Sequence, residues 1–242
     1  MPKHRLDVLI VSRGLCDSRE QAQRLILAGE VTVRAQVITK PGTKVDDTLP
    51  VTLKSKPKYV SRGGLKLEGA LQAFPVSAEG KVCLDIGSST GGFTDCLLQN
   101  GALRVHAVDV GTNQLVWKLR NDPRVVVREQ FNARYMTPED LGEQAQLIVS
   151  DVSFISLTKI LPAAYRCLLP GGDLLVLIKP QFELQPEDIG PGGIVRDPLL
   201  HQRAVDKIHD FVVNELGREW MGVADSPIKG MEGNKEFLAW LR

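Results

Sequence analysis

The sequence has few aromatic residues, few cysteines and histidines, and no long apolar run. Aromatic residues make up 5% of the 242 residues, and the four cysteines form no C-x-x-C pair. Three of the four lie in apolar strand or helix patterns, so we expect reduced core thiols and a cytoplasmic protein. The four histidines lack ligand-like spacing, so we expect no metal site. Since no apolar run approaches ~20 residues and the start does not resemble a signal peptide, we expect no membrane partner.

Two common nucleotide-binding motifs are also absent, namely G-x-G-x-x-G and the G-K-[ST] ending of a P-loop. A different glycine turn is present instead. The run VCLDI at residues 82–86 predicts a buried parallel strand, and GSSTGGF at residues 87–93 leads into a helical pattern. Such a turn presents the unpaired N–H groups of a helix N-terminus to a polar ligand. A tight turn that only packs strand on helix is the alternative.

The next strand ends in Asp109, roughly 20 residues past the glycine turn, where doubly wound folds place a carboxylate on ribose hydroxyls. A loop or N-cap acid is the alternative. Because the turn contains no Arg or Lys, a pyrophosphate suits it poorly, whereas S-adenosylmethionine, with its sulfonium and amino-acid end, suits it better. The predicted cofactor-binding residues are Asp85, Gly87, Ser88, Ser89, Thr90, Gly91, Gly92, Phe93, Asp109, Asn132 and Asp151.

Positive charge is concentrated near the N-terminus. Residues 1–60 carry 11 Lys and Arg against 6 Asp and Glu, whereas the remainder carries 19 against 23. This asymmetry favours an arm that binds a polyanion, with ordinary solvated charge as the alternative. Two helical patterns, at residues 5–13 and from the predicted N-cap Ser18 to Gly29, accompany three short strand patterns. They predict a small α/β module.

RLDVLIVSRGL, SREQAQRLILAGEVTV and the KPG turn resemble the small RNA-binding module shared by a ribosomal protein, some pseudouridine synthases and a tyrosyl-tRNA synthetase. The resemblance covers roughly residues 3–54 and implies that the two-helix face contacts RNA. The cations available for this contact are Arg5, Arg13, Arg19, Arg24, Arg34 and Lys40.

The polar linker at residues 55–58 predicts a domain boundary, which divides the chain into residues 1–58 and 59–242. The second part contains five strand patterns, at residues 82–86, 104–110, 125–128, 146–151 and 172–179. Helical patterns between them predict an α/β fold with a Rossmann-like doubly wound parallel sheet. Helices are expected over 156–169, broken at Pro162, and over 201–216, and the runs 220–224 and 236–241 predict a final antiparallel pair.

Ligands bind beyond the carboxyl ends of the strands in an open α/β sheet. Asp85, Asp109, Asp151 and Lys179 fall at such ends. A lysine that closes the apolar strand LLVLI is unusual, because its ammonium group then lies near low-dielectric surroundings. A Lys179–Asp151 salt bridge with no catalytic role is the alternative. Taken alone, the sequence around Lys66 predicts that this lysine is exposed at the surface and has no special role.

The ordered set YVSRGGLKL, DIGSSTGGFTD, DVSFISL, LIKPQFE, GGIVRDP and GNKEFL resembles the TlyA family of bacterial proteins over nearly the whole chain. That family joins the RNA-binding module to a domain similar to the FtsJ-type ribose 2′-O-methyltransferases. The resemblance implies an S-adenosylmethionine-dependent methyltransferase that acts on ribosomal RNA, with cytidine ribose as the modified group. It also implies a catalytic tetrad formed by Lys66, Asp151, Lys179 and Glu236.

Three other functions are alternatives. A nicotinamide oxidoreductase is disfavoured by the missing G-x-G-x-x-G motif. An RNA-binding or ribosome-assembly protein with a weak or lost methyltransferase activity is disfavoured by the intact tetrad. The TlyA family has also carried a hemolysin label, but a pore would need a membrane span or an amphipathic strand series, and neither pattern is visible.

Overall fold

A computed structural model describes residues 3–16, 18–54, 57–230 and 232–242. The chain divides into two compact units, Met1–Pro57 and Lys58–Arg242. Of the predicted linker, Ser55 and Lys56 lie outside the described residues. Each unit is described by itself below.

The first unit combines two helices with short antiparallel strands. Its elements are β1 (Lys3–Arg5), α1 (Leu6–Ser12), α2 (Arg19–Leu27), β2 (Val31–Val33), β3 (Gln36–Val37), β4 (Lys44–Asp46) and β5 (Val51–Leu53). β1 pairs with β4, and β2 lies between β3 and β5. Ser18 caps α2 as predicted, because its hydroxyl accepts the N–H of Gln21 at 3.2 Å. The pair β1–β4 was not predicted, because its strands, KHR and KVD, are largely charged and contain few of the β-branched residues that indicate a strand.

The second unit begins with helix α3 and then alternates strands with helices. Its elements are α3 (Gly63–Ala73), β6 (Val82–Ile86), α4 (Gly92–Gln99), β7 (Arg104–Val108), α5 (Trp117–Arg120), β8 (Val125–Arg128), α6 (Pro138–Leu141), β9 (Ala145–Ser150), α7 (Leu161–Cys167), β10 (Leu168–Ile178), α8 (Pro180–Glu183), α9 (Pro198–Asp210), β11 (Trp220–Asp225) and β12 (Phe237–Leu241). A π-helical turn, Phe211–Glu215, extends α9.

These strands form a sheet in the order β11-β12-β10-β9-β6-β7-β8. The five strands from β10 to β8 are parallel, and β12 enters antiparallel between β10 and β11. The predicted doubly wound fold is confirmed. Alternate side chains of β9 and β10 enter two different cores on opposite faces, which explains why these strands are apolar without interruption.

Two helices differ from their predicted limits. The predicted helix 156–169 is a 3-10 turn, Leu157–Lys159, followed by α7, with Pro162 in the first turn of α7. A proline is tolerated there because the first helical N–H groups have no partner to lose. The last long helix, α9, begins at Pro198 rather than at residue 201, because the Asp197 carboxylate accepts the N–H of Leu199 at 2.9 Å and caps it.

Within the described ranges, no helix combines the length and the apolar character needed to cross a bilayer. The same residues contain no group of three or more His, Cys, Asp or Glu that could hold a metal ion. All four cysteines are buried and unpaired.

Candidate active site

Charged groups from three strand ends meet at one edge of the large sheet, namely the edge formed by the carboxyl ends of its parallel strands. Asp151 follows β9, Lys179 follows β10, and Glu236 directly precedes β12. Because β12 is antiparallel to β10, with Phe237 opposite Ile178, the start of β12 lies where β10 ends. The strand register alone therefore brings the three side chains to one edge.

The same three side chains share one face of the sheet, because side chains alternate along a strand with a period of two. Two positions further into each strand, that face carries a buried apolar residue, and these residues are Val149, Leu177 and Leu238. Helix α3 packs on this face through Leu67 and Ala70. The helix thereby brings Lys66 to the other three charged groups.

The four residues form a continuous chain of ion pairs. The Nζ of Lys179 lies 2.5 Å from Oδ1 of Asp151, and the Nζ of Lys66 lies 2.6 Å from Oε2 of Glu236. Asp151 joins the two pairs, since its Oδ2 is 3.8 Å from the Nζ of Lys66. Both lysines and Glu236 are buried, and two ammonium groups balance two carboxylates. A buried charge needs such a partner, because an unpaired one is strongly disfavoured in a low-dielectric interior.

The ammonium group of Lys179 has a further partner that the sequence reasoning missed. Its Nζ donates a hydrogen bond to the hydroxyl of Ser153 at 2.9 Å. Ser153 lies two residues after Asp151 on the same loop, and that spacing after a strand end was the available signal. Lys179 is thus held from two points, and an amine fixed in this way can orient a substrate hydroxyl or accept its proton.

The structure explains the glycines of the turn after β6 by packing. Protein atoms occupy the place of a Cβ at Gly87, Gly91 and Gly92, namely Asp151 O at 2.8 Å, Leu119 Cδ1 at 2.3 Å and Ser61 Oγ at 2.4 Å. Gly87 and Gly91 also have φ of +85° and +99°, which favours glycine. The tight-turn interpretation therefore accounts for these three positions. Ser88 and Phe93 are buried, and Ser89 and Thr90 are the exposed residues of the turn.

The turn is tied to the loops that follow the next two strands. Asp109 is half-buried, and its carboxylate accepts the N–H groups of Ser89 at 2.8 Å and Gly111 at 2.7 Å. The carbonyl of Asp109 accepts the N–H of Phe131 at 3.0 Å. Asn132 is exposed, and its side chain caps the short turn that follows β8. The predicted cofactor residues after β6, β7 and β8 thus belong to connected loops at the same edge as the four charged groups.

Asp85 differs from the other predicted cofactor residues because its side chain is fully buried beneath the turn. Its Oδ2 accepts the hydroxyl proton of Thr94 at 2.6 Å, which links β6 to α4. Burial raises the pKa of the Asp85 carboxyl to about 7, and the nearby Asp151 and Asp109 carboxylates act in the same direction. Asp85 supports the turn from below and does not line its exposed side.

Replacing Asp85 with asparagine is expected to change how stability depends on pH. Between about pH 4 and pH 7 the folded protein retains the Asp85 proton that the unfolded chain has lost, so wild-type stability falls as pH rises through this window. Asp85→Asn removes this contribution. Urea unfolding of both proteins from pH 4.5 to 8 checks it, and equal pH slopes for the two proteins would contradict the buried, raised-pKa carboxyl.

An exposed aromatic residue, Phe154, lies beside the four charged groups and was also missed. Its side chain is 90% exposed, and its φ of +61° is left-handed, a strain of ~1–3 kcal/mol that is frequent at functional sites. Its ring centroid is 5.1 Å from that of Phe182, whose own centroid is 5.8 Å from the Nζ of Lys179. A phenylalanine three residues after a polar strand end is a weak signal that sequence reasoning passed over.

The six predicted RNA-binding cations occupy different environments in the first unit. Arg5 and Arg19 bind the fully buried carboxylate of Asp7 at 3.0 and 2.9 Å. The hydrogen bond from Arg5, above all, holds the pKa of this carboxyl well below its usual range. Arg13 donates to the carbonyls of Leu49 and Asp47, so it fastens a loop. The other three cations, which are exposed on the surface of this unit, are Arg24, Arg34 and Lys40.

Comparison with known proteins decides the family. The FtsJ-like methyltransferase family matches residues 59–242, and the S4 domain family matches residues 4–49. The 16S/23S rRNA (cytidine-2′-O)-methyltransferase TlyA of Mycobacterium tuberculosis is 49% identical over 240 residues, which are 98% of this chain and 89% of that protein. The chain belongs to the TlyA family. The TlyA resemblance in its sequence motifs is thereby confirmed.

Solved structures agree with membership of the TlyA family. A protein of Streptococcus thermophilus described as a hemolysin is 51% identical and superposes with a TM-score of 0.75, covering 100% of this chain and 88% of that one. Fibrillarin of Aeropyrum pernix, solved with bound S-adenosyl-L-methionine, is 17% identical with a TM-score of 0.52, covering 88% and 94%. At this low identity the second likeness shows the fold alone.

Proposed function

We propose that this protein transfers the methyl group of S-adenosylmethionine to the ribose 2′-hydroxyl of a cytidine in ribosomal RNA. The observation that carries the proposal is the ion-paired chain of Lys66, Asp151, Lys179 and Glu236 at the edge of the sheet where α/β folds bind ligands. Membership of the TlyA family supports it, since the mycobacterial relative is named for this reaction. A ribosomal substrate would place the protein in the cytoplasm.

The connected loops after β6, β7 and β8 fit the proposed cofactor. Asp109 would offer carboxylate oxygens to ribose hydroxyls, the exposed Asn132 after β8 is available to an adenine, and the exposed Ser89 and Thr90 border the turn. The turn carries no cation that would favour a pyrophosphate instead. When bound, S-adenosylmethionine supplies a methyl group already activated by its sulfonium, so the protein contributes mainly positioning and proton handling.

The chemistry assigns different tasks to the four charged residues. A ribose 2′-hydroxyl is a poor nucleophile and must lose its proton as it attacks. We assign Lys179 to orient this hydroxyl as an ammonium, or to take its proton as the neutral amine and so become the ammonium, because Asp151 at 2.5 Å and Ser153 at 2.9 Å fix its Nζ. Lys66 keeps the local field positive, and Glu236 holds Lys66 at 2.6 Å. The exposed ring of Phe154 is placed to stack on an unpaired base next to the reacting ribose.

We further propose that residues 1–58 bind the RNA and residues 59–242 catalyse the reaction. Arg24, Arg34 and Lys40 are free of the Asp7 and loop-carbonyl contacts that hold the other three cations, so we assign them the phosphate contacts. Arg5 and Arg19 remain half exposed, and Asp7 fixes their direction at the N-terminal ends of α1 and α2.

Replacing Arg24 with alanine is expected to weaken binding to ribosomal RNA and to lower the slope of log affinity against log salt by ~1, because one phosphate contact is lost. Arg13→Ala is the matched comparison, and it should lower the stability of the first unit because its guanidinium fastens the loop at Leu49. Filter binding at several salt concentrations measures the affinity and its salt slope, and urea unfolding measures the stability. An unchanged salt slope in Arg24→Ala would remove this residue from the interface.

The proposed function is tested with purified protein, labelled S-adenosylmethionine and ribosomal subunits from a strain that lacks the modification. We expect label in one or both subunits, at a position that maps to a cytidine 2′-oxygen. Label on a base, and not on a ribose, would show that the protein is a methyltransferase with a different specificity. RNA binding without any transfer would favour the assembly-protein alternative.

A further inference from the structure

Glu183 is a buried carboxylate that the proposed reaction leaves without a task. It ends the short helix α8, four residues after Lys179 along the chain, and its side chain is 3% exposed. The carboxylate accepts the hydroxyl proton of Ser156 at 2.5 Å and the backbone N–H of Leu157 at 2.8 Å. Both donors belong to the loop that follows β9. One carboxylate therefore fastens this loop to the segment that follows β10.

The two segments that Glu183 joins carry Lys179 and the two side chains that contact its ammonium group. The loop after β9 supplies Asp151 and Ser153, and the residue before α8 is Lys179, which contacts both. The same two segments touch again where the rings of Phe154 and Phe182 lie 5.1 Å apart. A displacement of the loop relative to α8 would therefore move Asp151, Ser153 and Phe154 together, away from the amine.

A third element stabilises this arrangement. Lys207 of α9 lies 3.2 Å from Oε2 of Glu183 and donates to the Glu183 carbonyl at 2.5 Å. Burial nevertheless raises the pKa of the Glu183 carboxyl above its ordinary value, so the site holds a charge that is partly disfavoured there. An apolar residue would fill the same space without this penalty. What an apolar residue cannot do is accept the two hydrogen bonds that fix the loop.

We propose that Glu183 is a positioning residue for methyl transfer, and this inference rests on the proposed function. By holding the loop after β9 against α8, it sets Asp151 and Ser153 at their places around the ammonium of Lys179. Because its carboxylate is buried, it acts through the loop and not on the RNA or the methyl donor directly.

The chain offers a matched control in Asp173, a buried carboxylate within β10, the strand that leads to Lys179. Asp173 accepts hydrogen bonds from the indole N–H of Trp240 at 2.9 Å and from Arg242 at 3.2 Å, and it contacts no group of the tetrad. A residue that serves only the stability of the sheet should behave like Asp173. A positioning residue should affect the rate of the reaction at least as strongly as the stability of the fold.

The test compares the full-length proteins Glu183→Ala, Glu183→Gln and Asp173→Asn. A misplacement of about 1 Å at a reacting centre can lower a rate by ~10²-fold. We expect Glu183→Ala to lower kcat by ~10–100-fold, with the Kd for S-adenosylmethionine and the KM for RNA changed less than about twofold. Glu183→Gln keeps an acceptor for the N–H of Leu157 and should recover part of kcat. Asp173→Asn should lower the unfolding temperature and leave kcat within about twofold of wild type.

Hydrogen exchange supplies a readout that does not depend on activity. Amide exchange in the peptide covering residues 151–157 should accelerate in Glu183→Ala and stay at the wild-type rate in Asp173→Asn. Wild-type kcat in Glu183→Gln and Glu183→Ala, or a loss of kcat that only tracks the unfolding temperature in all three variants, would overturn the positioning role. Failure of the wild-type protein itself to transfer methyl groups would instead overturn the proposed function, and the inference with it.

Discussion

Replacing Lys179 with alanine is expected to lower methyl transfer by ~10²–10⁴-fold, the range by which a positioned acid–base group accelerates a reaction. The side chain that Asp151 and Ser153 hold at 2.5 and 2.9 Å would be gone, so no amine would orient the 2′-hydroxyl or take its proton. The loops after β6, β7 and β8 remain, so binding of S-adenosylmethionine should persist. Single-turnover transfer and calorimetric titration of the methyl donor measure the two effects separately.

Lys81→Met is the control for this variant. Lys81 precedes β6 at the opposite edge of the sheet, and its Nζ lies 3.5 Å from the carboxylate of the buried Asp173. The two lysines are thus paired with carboxylates in a similar way, and only one lies at the proposed site. Near-normal transfer in Lys179→Ala would exclude this lysine from the reaction and favour a plain salt bridge with Asp151.

The second large effect concerns stability, through the pair Lys66–Glu236. Removing Glu236 leaves the buried Lys66 ammonium with Asp151 alone, at 3.8 Å. Removing one partner of a buried ion pair lowers the free energy of unfolding by ~3–5 kcal/mol, because the remaining charge is left uncompensated. We expect Glu236→Ala to show a loss of this size in urea unfolding, together with loss of transfer.

The double variant Lys66→Met, Glu236→Gln separates the two roles of the pair. Replacing both charges removes the unpaired ammonium, so its stability should return to within about 1 kcal/mol of wild type. Methyl transfer should stay low, because the Lys66 ammonium that lies 3.8 Å from the Asp151 carboxylate is missing. A double variant that is both stable and fully active would show that this pair serves only the fold.

The sheet and its order along the chain were predictable because the strands are apolar without interruption and end in polar residues. The convergence of Asp151 and Lys179 followed from parallel strand ends. The position of Lys66 beside them could not be predicted in this way. Nothing local distinguishes it from a surface lysine, and its burial depends on which face of the sheet α3 covers, which only packing decides. The resemblance to a family indicated that residue, and the structure shows that it lies beside Glu236 and Asp151.

Other features were beyond sequence patterns for identifiable reasons. The hydrogen bond from Lys179 to Ser153 depends on the path of a loop, and loops carry no hydrophobic period. The engagement of Arg5 and Arg19 with Asp7 depends on a carboxylate buried in an otherwise apolar helix face, where a charge is not expected. Three cations that looked equivalent to the others as RNA ligands proved to have intramolecular contacts.

The insertion of β12 between β10 and β11 has a consequence for biosynthesis. Because β12 follows β11 in the chain, the free side of β10 stays open during translation until residue 241 has left the ribosome. Only then can Glu236 reach Lys66 and complete the group of four. A nascent chain therefore carries an uncovered strand edge and an incomplete site until β12 has been made, so binding of the methyl donor can precede competence for transfer.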